Sequence, residues 1–215
     1  MKPRSYNELY LEDAMNNLGT MLDCAVNAAH CDLLVFYEMF LSSGVASQME
    51  AGNPRYLSGM SGMELMQLVL EKSSDKTMPI VNYVPFDRTP EYWAGWALAY
   101  YQWYSTYSFS FIQRNGLSIS NVLSLYLTLH EADLSKFVQT ADTLIQTYLN
   151  TRKNMLKTIR KQSHFTQKEL AELSGVTLRM IQAYEQGDQD IIKAEAGTVF
   201  ALARVLGCSA EVICG

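Results

Sequence analysis

The sequence predicts an all-α protein with an N-terminal helical body and a smaller C-terminal helical domain. Apolar residues recur at three- and four-residue spacings along most of the 215 residues, the period of amphipathic helices. Charge is uneven: residues 1–150 carry 8 basic and 15 acidic residues, a net of −7, whereas residues 151–215 carry 9 and 7, a net of +2. This change places the predicted domain boundary after residue 150.

The first body helices follow from capping residues and periodicity. Ser5-x-x-Glu8 predicts a capping box ahead of a helix with one apolar face from Leu11 to Ala29. The next segment, DLLVFYEMFLSSG, is apolar almost all round and is predicted to stop at Gly44 in a left-handed cap.

Turn and capping signals define the middle of the body. Gly52-Asn53-Pro54 predicts a turn, and Ser61-x-x-Glu64 predicts a second capping box that opens the helix GMELMQLVLEK. Residues 73–90 contain three of the five prolines and are predicted to form a loop. Further helices are predicted at about Ser120–Leu129 and Leu134–Leu149.

An aromatic segment lies between these elements, with ten of the 24 aromatic residues falling between Tyr92 and Phe111. Thr89 and Pro90 predict its helical start. One stripe of a helix ending near Asn115-Gly116 would hold Trp93, Trp96, Tyr100, Trp103, Tyr107 and Phe111. Core packing is the first interpretation. The alternative is a partner-binding surface made of Trp93, Trp96, Tyr100, Tyr101 and Tyr104.

Motifs for catalysis, metals or membranes are not evident. The four cysteines form no C-x-x-C pair, and the HEAD tetrad at residues 130–133 lacks a second His at i+4, so no metal or cofactor is expected. No serine, cysteine and histidine set has a nucleophile signature, so no enzyme is expected. Without a long apolar run or a signal peptide, the expectation is a cytoplasmic protein that does not engage a membrane.

The segment from Leu156 to Gly187 predicts two helices joined by a tight turn. Thr166 would cap a helix at Gln167–Ser174 whose inward residues are Leu170, Ala171 and Leu173. Gly175 lies where the chain needs a positive φ, and the apolar Val176 fills the turn. Thr177 would cap the next helix, which has Ile181 and Tyr184 inward and ends at Gly187.

This pattern resembles the Cro/C1-type (XRE-like) helix-turn-helix family over about Leu156 to Ile213. The matching residues are Thr166-Gln167, Leu170-Ala171, Leu173, Gly175-Val176-Thr177, Ile181, Tyr184-Glu185, Gly187, Leu202-Ala203, Leu206-Gly207-Cys208-Ser209 and Glu211. The resemblance implies a lambda-repressor-like domain of five helices, at Met155–Gln162, Gln167–Ser174, Leu178–Gln186, Lys193–Leu206 and Ser209–Ile213. The proline that commonly precedes the fourth helix in this family is missing, which leaves the start of that helix open.

The resemblance also implies double-stranded DNA as a partner, with the third helix in the major groove. Leu178, Arg179 and Gln182 would face the bases: Arg179 suits guanine, Gln182 suits adenine or the backbone, and Leu178 could touch only a thymine methyl or another apolar surface. Gln167 would bond a phosphate and brace the reading helix, and Thr177 would donate to a phosphate. The expected phosphate neutralisers are Lys157, Arg160, Lys161 and Lys168. Glu185 is interpreted as structural.

The architecture predicts a bacterial or phage transcriptional regulator, a repressor acting as a homodimer. An acidic body ahead of a terminal Cro/C1-type domain is similar to antitoxin-type regulators, which implies a protein partner such as an operon-encoded toxin. The alternatives are a ligand-sensing repressor with a pocket among the aromatic and Met-rich helices, and an enzyme fused to a DNA-binding domain.

Overall fold

The computed structural model describes residues 4–73, 88–153 and 155–214, which form helices and connecting turns with no strand among them. The predicted all-α class is confirmed. The chain divides into two compact units, Met1–Ile145 and Gln146–Gly215. Across these described ranges, none of the helices combines the length and the apolar character that crossing a membrane requires.

The N-terminal unit is built from short and medium helices. A 3-10 turn at Glu8–Tyr10 leads into the first helix, which continues as a π-helical turn at Cys24–Ala28. The α-helices of this unit are α1 Leu11–Asp23, α2 Leu33–Ser42, α3 Val45–Glu50, α4 Pro54–Leu57, α5 Gly62–Ser73, α6 Pro90–Ser105, α7 Phe109–Arg114, α8 Ile119–Ser124 and α9 Tyr126–Leu129. The next helix, α10 Leu134–Lys153, contains the division between the two units, so its first residues belong to this unit and its last ones to the C-terminal unit.

Helices α1 and α6 cross closely at the centre of this unit because each carries a glycine at the crossing. A Cβ added to Gly95 would lie 2.6 Å from the carbonyl oxygen of Leu18, and one added to Gly19 would lie 2.8 Å from that of Tyr92. Only a residue without a side chain fits at these distances. Leu18 and Ala94, which precede the two glycines in sequence, are fully buried.

Several predicted caps are confirmed. Thr89 caps α6, with Pro90 as its first residue. The Ser61 amide donates to the Glu64 carboxylate at 2.7 Å, completing that capping box. Gly44 has a φ of +82°, as expected of a left-handed stop. Residues 74–87, most of the predicted 73–90 loop, lie outside the described residues.

The capping box predicted at Ser5 is wrong. Asn7 caps the 3-10 turn, accepting from the Leu9 amide, whereas the Ser5 hydroxyl donates to the Gln102 carbonyl oxygen at 3.3 Å. The amide of Ser5 also donates to the Trp103 carbonyl oxygen. Ser5 therefore ties the start of the chain to the end of α6 instead of starting a helix.

The single long aromatic helix is also wrong. Helix α6 ends at Ser105, because Thr106 adopts a left-handed φ of +64° and the Ser108 hydroxyl accepts from the Phe111 amide to start α7. Serine and threonine hydroxyls offer the backbone such alternatives to helix continuation. Tyr107 and Phe111 therefore leave the predicted stripe. The predicted helix at Ser120–Leu129 is likewise divided, into α8 and α9.

The C-terminal unit contains the five predicted helices of the resemblance. They are α11 Met155–Gln162, α12 Gln167–Ser174, α13 Leu178–Gln186, α14 Ala196–Leu206 and α15 Ala210–Cys214, with a 3-10 turn at Ile191–Lys193. The bounds of α11, α12 and α13 are confirmed. The prediction placed the start of α14 at Lys193, three residues too early, because the 3-10 turn and a short extended stretch replace its first turn.

The core of this unit joins all five helices. It consists of Leu156, Ile159, Leu170, Val176, Ile181, Tyr184, Leu202, Ala203, Leu206 and Ile213. Leu173, predicted to face inward, is instead 61% exposed. Leu170 alone provides the fully buried contact from α12, with Ala171 partly buried beside it.

Candidate nucleic-acid interface

The turn between α12 and α13 is held by local hydrogen bonds. A capping box starts α12: the Thr166 amide donates to the Glu169 carboxylate at 2.7 Å, and the Glu169 amide donates to the Thr166 hydroxyl at 3.1 Å. Gly175 ends α12 with a φ of +74°, a value that disfavours any residue with a Cβ. The Met180 amide donates to the Thr177 hydroxyl at 3.3 Å, so Thr177 caps α13 as predicted.

A buried carboxylate on α13 joins three helices. The Nε and Nη2 atoms of Arg160, on α11, donate to the two oxygens of Glu185 at 2.6 and 2.9 Å. The side-chain Nε2 of Gln167, the first residue of α12, donates to the same carboxylate at 2.7 Å. The remaining Arg160 nitrogen donates to the Phe165 carbonyl oxygen at 2.7 Å. The orientation of α13 is thereby fixed by side chains from both preceding helices.

The electrostatics of this cluster favour an ionised Glu185. Burial by itself would raise the pKa of Glu185, but the hydrogen bonds from Arg160 and Gln167, together with the positive charges of Arg160 and Lys157, outweigh burial and lower it. The structural interpretation of Glu185 is confirmed by this geometry.

Arg160 is not available as a phosphate contact, contrary to the prediction. It is 8% exposed, and its guanidinium is occupied by the carboxylate and the carbonyl oxygen described above. The sequence pattern of α11 gave no sign of this, because Glu185 lies 25 residues further along the chain.

The amino end of α13 presents the predicted base-reading face. Leu178 and Arg179 are exposed and Gln182 is half-buried, whereas Ile181 and Tyr184 point into the core. Because inward and outward residues alternate with helical period, the core contacts of α13 hold this outward face in place.

Cationic and hydrogen-bonding side chains flank that face on the same unit. Lys157, Lys161 and Lys168 are exposed, and the 4.0 Å contact of Lys168 with Glu172 is between two largely exposed side chains. Such a pair is weak and open to exchange for another anion. Gln167 is half-buried, and bonding to Glu185 uses one of its two amide hydrogens.

The aromatic residues predicted to bind a partner divide into two groups. Trp93 and Tyr101 are 8% and 0% exposed; Trp93 packs edge-on against Phe137, and the Tyr101 hydroxyl donates to Asp142 at 2.7 Å. These two belong to the core, which corrects the prediction of a partner contact for them. A partly exposed set remains, consisting of Trp96, Tyr100 and Tyr104.

The N-terminal segment occupies part of this remaining aromatic surface. The guanidinium of Arg4 lies 4.8 Å from the ring centre of Trp103 and 4.2 Å from that of Tyr104, and it donates to the Tyr104 carbonyl oxygen at 2.7 Å. Arg4 therefore covers part of the Tyr104 ring.

A second exposed surface lies on α2, where the sequence predicted a helix apolar on nearly all sides. Leu34 and Val35 are 47% and 54% exposed and line an open groove of about 540 Å³ with Glu38, Met39 and Ser42. The sequence signal for this surface was that α2 is apolar on nearly all sides. The other helices of the unit cover only part of α2, so Leu34 and Val35 stay exposed.

The HEAD tetrad forms a local turn. His130 stacks on Tyr126 with ring centres 4.5 Å apart, and its Nε2 atom lies 3.6 Å from a Glu131 carboxylate oxygen. Within the described ranges, no three His, Cys, Asp or Glu side chains are grouped so as to hold a metal ion.

A capped helix, a left-handed glycine turn and a second helix with an exposed amino end define a helix-turn-helix DNA-binding unit. Residues 156–213 match the helix-turn-helix family model, of the Cro/C1 type. No curated protein and no solved structure matches the chain. The matched residues are therefore a DNA-binding domain of the kind found in transcription regulators.

Proposed function

We propose that the protein is a transcriptional repressor that reads the major groove with residues 178–186. The observation that carries this proposal is the exposed amino end of α13, held in orientation by the buried Arg160–Glu185 pair. A domain docked at a promoter excludes polymerase from the same DNA, which makes repression the simplest outcome.

The base contacts are assigned by chemistry and position. Arg179 has a planar fork of donors that fits the O6 and N7 acceptors of guanine. Gln182, one turn further along α13, fits the N6 and N7 edge of adenine or a backbone atom. Neither Arg179 nor Gln182 forms a salt bridge or a side-chain hydrogen bond within the described part of the chain, so no internal polar interaction must be broken first.

The phosphate contacts are assigned to the flanking side chains. Gln167 keeps one amide hydrogen for a phosphate while its other bonds Glu185, and the Thr177 hydroxyl can donate to a phosphate while accepting from Met180. Lys157, Lys161 and Lys168 supply positive charge around them. These contacts position the domain without reading sequence.

Specific binding requires two copies of the protein. One helix-turn-helix unit covers too few base pairs for useful specificity, so we propose a homodimer on two half-sites about one helical turn apart. Light scattering of the purified protein and a footprint of the bound duplex test the stoichiometry and the spacing together.

We further propose that residues 1–150 form a domain that binds a basic protein, such as a toxin encoded in the same operon. The support is the α2 groove, which is apolar, lined by Glu38 and part of a segment of net charge −7. A small-molecule effector prefers an enclosed pocket, whereas this groove is open and suits a protein segment. A thermal-shift screen with metabolites tests the ligand-sensing alternative.

Two experiments test the proposed function. In vitro transcription from a promoter that contains a selected binding site should fall as protein is added, and a rise would identify an activator instead. Co-expression with the product of the adjacent gene should give a complex that Val35→Glu or Trp96→Ala weakens, while Leu127→Ala, at an 82% exposed leucine of α9, leaves it intact. A complex indifferent to both test variants would exclude these two surfaces.

A further inference from the structure

The amino end of α13 carries an apolar side chain that the core does not use. Leu178 is the first residue of the helix and is 38% exposed, whereas Ile181, the other branched aliphatic residue of α13, is fully buried. The neighbours of Leu178 on both sides, Thr177 and Arg179, are polar and exposed. Leu178 is therefore an apolar projection within a polar surface, at the point where α13 would meet the base edges.

The chemistry of the major groove limits what such a side chain can favourably contact. Each base pair presents hydrogen-bond donors and acceptors there, and the C5 methyl of thymine is the only methyl group among the four standard bases. A leucine pressed against donors or acceptors removes their water without replacing the hydrogen bonds, which costs free energy. When the leucine side chain packs against a thymine methyl, both apolar groups are removed from water, which is favourable.

We propose that Leu178 is a specificity-determining residue that selects thymine by contact with its C5 methyl group, in the same half-site as the base read by Arg179. This inference rests on the proposed function, because it requires α13 to enter the major groove. It adds a sequence preference: each half-site must contain a thymine whose methyl group faces the start of α13.

The size of the effect follows from the burial of a single methyl group. Removing one buried methyl corresponds to roughly a three- to five-fold increase in Kd. The same methyl group can be supplied on another base, because 5-methylcytosine carries it at the equivalent position of the groove.

The experiment uses the full-length protein and a duplex selected from a random pool. Each thymine of the bound site is replaced in turn by uracil, which removes the methyl group alone, and Kd is measured by fluorescence anisotropy. We expect one replacement per half-site to raise Kd roughly four-fold for the native protein. Leu178→Ala should be insensitive to that same replacement, whereas the matched variant Gln182→Ala should keep the full response.

Selection repeated with Leu178→Lys provides a second test that does not depend on small affinity differences. Lysine donates to the O6 and N7 acceptors of guanine, so the selected site should change from a T·A pair to a pair that contains guanine at that position. Equal affinity of the native protein for every uracil duplex, an unchanged response in Leu178→Ala, or a selected site without thymine would each overturn the inference while leaving DNA binding intact. Failure to select any duplex would instead overturn the proposed function, and the inference with it.

Discussion

Arg160 and Glu185 form a bidentate ion pair in which the two residues are only 8% and 5% exposed. The pair connects α11 to α13 across 25 residues of sequence. Because Gln167 bonds the same carboxylate, the start of α12 is fixed by the same group that orients the reading helix.

Removal of one partner of this pair should strongly destabilise the C-terminal unit. Arg160→Ala leaves a buried carboxylate without its cation, a change that typically costs about 3–5 kcal/mol. Hydrogen exchange of peptides from residues 155–213 should show the loss of protection. Lys161→Ala, at the adjacent exposed position, is the control and should change stability by less than about 0.5 kcal/mol. Equal protection in both variants would contradict the role given to the pair.

The stability of the C-terminal unit should fall in acid. The pKa of Glu185 is lower in the folded protein than its ordinary value of 4.5, so the unfolded chain takes up the proton first as pH decreases. The stabilisation is therefore complete above about 4.5 and is lost as pH falls through the folded pKa. Urea unfolding monitored by hydrogen exchange should give nearly the same stability at pH 7 and pH 5 and a lower stability at pH 4 and below. Glu185→Gln should be less stable at pH 7 and show a shallower pH dependence; an unchanged slope would refute the assignment.

Loss of Arg179 should reduce specific binding more than non-specific binding. Arg179→Ala is expected to weaken binding to the selected duplex by about 1–3 kcal/mol, with a smaller loss on a scrambled duplex. Arg204→Ala, which removes an exposed arginine from α14, is the charge-matched control and should affect both duplexes little. Equal losses on the two duplexes in anisotropy titrations would contradict a base-reading role.

The exposed lysines should determine salt dependence and not sequence preference. Replacing Lys157, Lys161 or Lys168 by alanine should weaken binding to all duplexes similarly. Each lysine that contacts a phosphate should lower the slope of log K against log salt concentration by about 0.9. Titrations at four salt concentrations measure the slopes. If a variant has the same slope as the native protein, the lysine that it lacks does not contact a phosphate.

The crossing of α1 and α6 should tolerate no side chain at its centre. Gly95→Ala places a Cβ 2.6 Å from the Leu18 carbonyl oxygen, so the helices must separate and the N-terminal unit should lose about 1–3 kcal/mol. Gly197→Ala, in α14, has no neighbouring atom within 4 Å of its Cβ and should stabilise by about 0.4–1 kcal/mol. Thermal unfolding measures both changes. A Gly95→Ala protein as stable as the native one would show that the crossing can relax.

The sequence predicted those features that are encoded locally. The bounds of α12 and α13, the φ of Gly175 and the caps at Thr166 and Thr177 each depend on residues within one turn of each other. Tertiary contacts do not override these local signals in the C-terminal unit, so the placement of the reading helix followed from them.

Features that depend on distant contacts were not predictable in the same way. The sequence predicts an exposed Arg160, because its partner Glu185 comes close to it only in the folded protein. Leu173 fits the apolar period of α12, but Leu170 and Ala171 already fill the contact with the core. The end of α6 was not predictable because the left-handed residue that ends it is Thr106, whereas the usual sequence signal for such an end is a glycine.

All three tryptophans of the chain, Trp93, Trp96 and Trp103, belong to α6. Tryptophan fluorescence consequently comes from the N-terminal unit alone, because the C-terminal unit contains no tryptophan. A change in the tryptophan spectrum upon addition of an unlabelled duplex would show that DNA binding by the helix-turn-helix unit alters the surroundings of α6. Tryptophan fluorescence can therefore test, without an added label, whether DNA binding changes the environment of α6.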